Sequence, residues 1–334
     1  MEGPNVRKPN RRRPAPRAPT VLAGLVQRVG ALMAARGPQV GYWRSDAGFA
    51  AYRAAYDEAM ATMPAPTRSH DLPIEFGTVR VYEWAAAESG ASETAPVVLV
   101  PGIRSGVPMW AENLSHWIGE RTVYAMDAVG DAGLSSHTVP FESFDHQVGW
   151  LEQALTGLGV LRAHTVGHSF GGAIAATHAL HHPDRVASLT LLEPVMVLHG
   201  MPLSTYLWAS VLLLPLPQLA KDKALAEIGG VTIAEVRERT PVAVMVDEGS
   251  KHYAAATLTP RTLTDAEWRS MTMPIRVEIA SDKSLAGGSG AAERARSLGI
   301  DPTLVRPDTT HSLPMQAAEV LGRELPVYWA SHDR

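Results

Sequence analysis

The 334-residue chain is expected to fold as an α/β protein: a mostly parallel central sheet, helices on both faces and a helical cap inserted late in the chain. Three observations carry this expectation. Short, mostly apolar runs such as VVLV (97–100) and VASLTLLE (186–193) alternate with helix-length segments. Strands buried on both faces read as such runs because neither face meets water. The alternation breaks once, over residues 196–273, a gap far longer than a crossover between neighbouring strands needs. Finally, Gly167-His168-Ser169-Phe170-Gly171 sits between an apolar run and an alanine-rich one, a strand-to-helix junction in this architecture.

Residues 1–20 are rich in Pro and Arg and poor in apolar groups; they cannot repay their ordering entropy and are read as a disordered basic arm. Val21, Leu22, Leu25, Val26, Val29, Leu32 and Met33 have helical spacing. A second helix is expected from Ala47 to Met63, stopping before Pro64. Together they form an N-terminal helical extension, residues 21–68. Ile74–Phe76 and Thr78–Trp84 read as strands around Gly77, followed by strands at 97–100 and 121–127. A helix from about Phe144 to Leu158 precedes the strand 164–168. The next helix ends near His182, before Pro183, and strands follow at 186–193, 275–280 and, more weakly, 302–307. A helix from Pro314 to Trp329 closes the chain. The body is thus assigned to 69–195 and 274–334, and the cap to 196–273. Within the cap, LWASVLLLPLP is interrupted by Pro215 and Pro217 and is too short to span a bilayer.

Composition narrows the class. Apolar residues make up 46% and charged residues 19%, enough for a sizeable core. There is no cysteine, so disulfides, thiol nucleophiles and thiolate metal sites are excluded. The formal charge is −4, and residues 1–20 hold six basic residues and one acid, which leaves −9 on the remainder. A body this acidic is a poor nucleic-acid binder. A basic arm before an apolar segment also fits an export signal, but Gln27 and Arg28 interrupt that segment. A cytoplasmic location is therefore expected, with secretion as the alternative. The oligomeric state is open.

The chemistry centres on Ser169. A sharp turn from strand to helix needs small residues on either side, and it stands the hydroxyl at the amino end of a helix, where developing negative charge is favoured. Serine is a weak nucleophile without a base. His311, in DTTHSLPM after the last strand, is the expected base, and His168 is expected to point away from Ser169 as a packing residue. Asp282, in IRVEIASDKS, is the expected acid that orients the imidazole, with Glu193 at the end of LTLLEP as the alternative acid. The backbone amides of Ile103 and Phe170 are the expected oxyanion donors. Arg104, Trp110, Tyr206 and Trp208 are candidate pocket residues. No metal and no cofactor are expected.

From about Ile74 to the C-terminus these patterns resemble the α/β-hydrolase superfamily. PGIRSGVPMW resembles its oxyanion loop with a downstream tryptophan, Trp110. Asp127-Ala-Val-Gly130-Asp-Ala-Gly133-Leu-Ser135 resembles its D-x-x-G-x-G-x-S loop, and HHPDRV the join after the nucleophile's helix. MWAENLSHW, MDAVGDAGLS and AAYDEAMATMP resemble bacterial capped carboxylesterases. Pro101 departs from the histidine common before the oxyanion-loop glycine. The resemblance implies a serine hydrolase that cleaves a small, apolar carboxylic ester through an acyl-enzyme. Thioester, lactone or C–C bond hydrolysis, a non-hydrolytic biosynthetic role, and a ligand-binding receptor on the same scaffold are the alternatives.

Overall fold

The computed structural model describes residues 39–87, 94–214 and 216–333. The predicted arm (1–20) and the helix expected at Val21–Ala35 lie outside the described residues. In chain order the strands are β1 (Tyr42–Trp43), β2 (Arg68–Ile74), β3 (Gly77–Trp84), β4 (Val97–Val100), β5 (Val123–Met126), β6 (Ser136–His137), β7 (Ala163–His168), β8 (Val186–Leu192), β9 (Tyr253–Ala254), β10 (Ile275–Ala280) and β11 (Thr303–Arg306). The main sheet runs β11-β10-β8-β7-β4-β5-β3-β2, and β6 pairs with β3. The β2–β3 and β3–β5 pairings are antiparallel; from β5 through β4, β7, β8 and β10 to β11 every pairing is parallel. Every residue of β4, β7, β8 and β10 is buried, which is why β4 and β8 read as mostly apolar runs; among the buried polar residues of β7 and β10, His164 is hydrogen-bonded to Ser188 and Arg276 to Glu278.

From β4 the chain goes to β5 on one side and then to β7 on the other. Such a reversal opens a crevice at the carboxyl ends of the strands, where open α/β sheets place their sites. The loops after β4 and β7 meet there.

Helices cover both faces. One layer holds Phe144–Gly157, whose first turn is capped by the Ser143 hydroxyl accepting from the His146 amide, together with Phe170–His181 and Gly288–Ser297. Its core includes Phe76, Val148, Leu151 and Ile174. Residues Phe170 to Ala179 are all buried; most are apolar, and His178 Nε2 meets the Glu152 carboxylate at 3.1 Å. The opposite core gathers Tyr52, Tyr56, Trp110, Leu114, Trp117 and Trp329. There the rings of Trp110 and Trp117 lie 5.9 Å apart and those of Trp117 and Trp329 5.7 Å. Truncating one of these tryptophans to alanine removes about 3–5 kcal/mol of stability, and truncating Leu114 about 2–5 kcal/mol. The single helix expected from Pro314 is divided at Ala317 into Leu313–Gln316 and Ala318–Ala330.

Between β8 and β10 the chain forms the helices Leu203–Leu213, Gln218–Gly229, Ile233–Glu238, Pro241–His252 and Asp265–Ser270. This insert is not separate from the N-terminal segment. β1 pairs antiparallel with β9, Trp43 opposite Tyr253. The helix Asp46–Met60 packs on Pro241–His252 so closely that a Cβ on Gly48 would lie 2.7 Å from the His252 Cβ. Among the described residues no helix is long and apolar enough to cross a membrane.

Candidate active site

Ser169 is the first residue after β7 and the N-cap of the helix Phe170–His181, with φ 54° and ψ −120°. That left-handed backbone is strained for a residue with a Cβ, typically by about 1–3 kcal/mol. Neighbours hold it: the Ser169 amide donates to Leu192 O at 3.0 Å, and the Ser169 carbonyl accepts from the Val195 amide at 3.2 Å. The glycines are required by space. A Cβ on Gly167 would lie 2.5 Å from Gly171 O, and one on Gly171 would lie 2.3 Å from both Val100 O and Pro101 O.

The Ser169 hydroxyl donates to His311 Nε2 at 2.9 Å, and His311 Nδ1–H donates to Glu193 Oε2 at 3.1 Å. Glu193 is fully buried. Its Oε1 also accepts from the Ala280 amide (2.7 Å) and the Ser284 hydroxyl (2.8 Å), and its Oε2 from the amides of Leu285 (3.0 Å) and Ala286 (3.4 Å). Every neighbour of the carboxylate is a donor, so its orientation is fixed and its burial is compensated.

The expectation that Asp282 would orient His311 is corrected by this geometry. Asp282 is exposed; its carboxylate accepts from the adjacent Ser281 hydroxyl at 2.8 Å, and its amide donates to Thr309 O. The end of β10 supplies amides to the acid and not the acid itself. Glu193 follows β8, the strand beside β7, and its φ of 49° turns the side chain back toward the serine. Asp282 lies one strand further out, and its shorter side chain points away.

The loop after β4 closes over the serine: a Cβ on Gly102 would lie 3.3 Å from the Ser169 Cβ. Ile103 N–H finds no acceptor among the described residues. Phe170 is the first residue of its helix, and such amides have no intrahelical partner. Both amides are thus free to donate. Arg104 enters through its main chain; its N–H donates to Asp131 Oδ2 at 2.5 Å.

His168 does more than pack. Its Nε2–H donates to the main-chain carbonyl of His311 at 2.9 Å, and the two rings lie 4.9 Å apart. Burial, and then the nearby His311, lower its pKa to about 3, so it stays a neutral donor. A polar residue inside an apolar strand end was the available signal, since a buried imidazole needs a partner. Ser284, which donates to Glu193, had no signal in the sequence.

The candidate pocket residues separate. Trp110 is fully buried in the core beside Trp117 and does not border the cavity near Trp208. Trp208 borders a cavity of about 130 Å³ with Pro202, Ser204, Thr205, Glu227, Lys283, Ser284 and Leu285. Ser284 and Leu285 tie this cavity to the Glu193 carboxylate. The Tyr206 side chain lies outside the described residues. The loop 127–135 has one residue more between Gly130 and Gly133 than the D-x-x-G-x-G-x-S pattern allows.

Residues 95–196 match the family model of the alpha/beta hydrolase fold. An uncharacterized carboxylesterase nap of Bacillus subtilis is 25% identical over 85% of this chain and 91% of its own length. Carboxylesterase YbfK of the same organism is 22% identical over 81% and 90%. The crystal structure of naproxen esterase from Bacillus subtilis superposes with a TM-score of 0.74 at 22% identity, covering 85% of this chain and 99% of that one. The chain carries the α/β-hydrolase fold and resembles the bacterial carboxylesterases of that superfamily.

Proposed function

We propose that the protein hydrolyses a small carboxylic ester through an acyl-enzyme, with Ser169 as nucleophile, His311 as general base and then acid, and Glu193 as the carboxylate that orients it. The observation that carries this reading is the unbroken hydrogen-bond path from Ser169 Oγ through His311 to Glu193. Ser169 Oγ attacks the acyl carbon while its proton passes to His311 Nε2. Glu193 holds the proton on Nδ1 and faces the imidazolium that forms. The amides of Ile103 and Phe170 receive the oxyanion, each such donor contributing about 10²–10³ in kcat. His311 then protonates the departing alkoxide, and water repeats the sequence to release the acid. The cavity bordered by Trp208 and Leu285 receives one arm of the substrate beneath the helices of residues 196–273, which act as the cap. Pro202, Trp208 and Leu285 form its apolar side, which suits an apolar group, while Glu227 and Lys283 make another side polar.

Two measurements test this. A fluorophosphonate should label the protein on Ser169 alone. A panel of p-nitrophenyl esters should show turnover that varies with acyl length. A folded protein that takes up the label nowhere and turns over no ester is not a serine esterase.

A further inference from the structure

The loop after β4 is held in place by two buried acids from the loop after β5. Asp127 Oδ1 accepts from the Val107 amide at 2.9 Å. Asp131 accepts from Arg104 N–H through Oδ2 and from the Ala132 amide through Oδ1 at 2.8 Å. Arg104 adopts φ 61°, a conformation that a residue with a Cβ keeps only when its surroundings impose it. Its amide follows directly on Ile103, whose N–H has no acceptor among the described residues. Asp131 is 3% exposed and stands in the stretch that is one residue longer than the superfamily pattern.

We infer that Asp131 is a positioning residue for the oxyanion hole: its ionised carboxylate pins Arg104 N–H, and so aims the adjacent Ile103 N–H at the oxyanion formed on Ser169's substrate. Each carboxylate oxygen has one N–H donor. A proton on either oxygen would face one of those donors, so the neutral acid cannot hold both amides equally well. Release of the Arg104 amide lets the strained turn relax and moves the Ile103 amide from its aim.

The groups acting on Asp131 come from four elements: Arg104 in its own loop, Asp127 at the start of the same connection, Tyr52 from the helix Asp46–Met60 and Tyr253 from β9. Both phenols are themselves pushed upward by burial and stay neutral, so Arg104 is the one cation among them. Burial raises Asp131 to about 6, against the pull of the Arg104 and Ala132 amides. The carboxylate is therefore ionised at neutral pH and takes up its proton within the range where esterases are assayed. The insert reaches the same place: a Cβ on Gly249 would lie 3.0 Å from the Ala132 Cβ.

The proposal rests on the serine-esterase reading, and the test separates the two. Asp131→Asn, Ser169→Ala and the unaltered protein are compared on one p-nitrophenyl ester from pH 4.5 to 8, with thermal melts to confirm folding. Asp131→Asn should lower kcat about 10- to 100-fold, less than deletion of a donor outright, with KM changed less than about twofold. The ratio of kcat/KM between the unaltered protein and Asp131→Asn should be constant above about pH 7 and shrink as pH falls through about 6, because the protonated acid, like the amide, no longer accepts from both N–H groups. A folded Asp131→Asn with unchanged kcat, or a ratio that stays the same from pH 4.5 to 8, overturns the anchor while a dead Ser169→Ala upholds the esterase. Turnover that survives Ser169→Ala overturns the esterase reading itself. If Asp131→Asn does not fold, Asp131→Ser is read in the same way, on kcat and on that ratio.

Discussion

The same two strands carry a serine–histidine–carboxylate chain at each end. At the carboxyl ends of β7 and β8 stand Ser169 and Glu193, joined through His311. At the amino ends, about 16 Å away for five residues of strand, His164 of β7 lies opposite Ser188 of β8. His164 Nδ1 meets the Ser188 hydroxyl at 2.8 Å, and Nε2–H donates to Asp333 at 3.0 Å. The residue types and distances match, and the chemistry does not. Ser188 and His164 are fully buried inside the sheet, where strand amides are committed to the ladder and leave no oxyanion donors. Ser169 has left the strand, stands in a strained turn at a helix start and faces an unspent amide on each side. Three residues in hydrogen-bond sequence make a polar network; what sets Ser169 apart as the proposed nucleophile is its backbone geometry and the amides around it.

The amino-end network instead fastens the C-terminus. Asp333 also accepts from Arg121 at 2.9 Å and from the Ala95 amide at 3.1 Å. Burial lowers His164 to about 4, and Arg121 with His164 lowers Asp333 to about 2 against its own burial. A lowered histidine means that the unfolded chain binds more protons, so this part of the stability is complete above pH 6.5 and is lost as pH falls toward 4, by about 3 kcal/mol. For Asp333 the stabilisation is present above about pH 4 and disappears toward pH 2.

The comparison can be broken from either end. The largest effect is expected for Ser169→Ala, which should cost about 10⁴-fold or more in kcat with an unchanged melt; Ser188→Ala should leave kcat unchanged, and steady-state assays of both decide it. Next comes Glu193→Gln, expected to lose about 10³- to 10⁴-fold in kcat and some melting temperature, since its new NH₂ would face donors. Asp282→Asn should retain turnover within about twofold. If Asp282→Asn is inactive and Glu193→Gln is active, the acid belongs after β10. Asp333→Asn should keep its kcat but lose about 2 kcal/mol or more, because Arg121 is 5% exposed and would keep a buried charge without its partner. Urea unfolding at pH 7 measures this. The smallest effect belongs to Ser188→Ala: about 1 kcal/mol from an imidazole nitrogen left unpaired, read from the same unfolding curves.

The legible parts of this protein are those that local physics dictates. β4 and β8 lie within a residue or so of their mostly apolar runs, because a strand covered on both faces favours apolar positions throughout; β7 and β10, expected at 164–168 and 275–280, are found at Ala163–His168 and Ile275–Ala280 although they carry buried polar residues. Ser169 was marked by glycines that steric crowding demands two residues to either side. His311 was marked by its place after the last strand. Glu193 and Asp282 were not separable in the same way: each ends an apolar run, and both side chains are acids of nearly equal reach. Only the packed sheet decided between them, by setting β8 directly beside β7 and by turning the amides of Ala280, Leu285 and Ala286 toward Glu193. The insert was legible as an interruption, but its pairing with β1 and with the helix Asp46–Met60 joins positions some 200 residues apart, which no local pattern records. The same holds for His164, Ser188 and Asp333, unremarkable as letters and a network as neighbours. The sequence by itself determined which segments become strands and helices and where a serine can be forced out of a strand. The tertiary structure decided which buried polar groups meet, because each hydrogen bond depends on distances that the chain sets only after the sheet has closed.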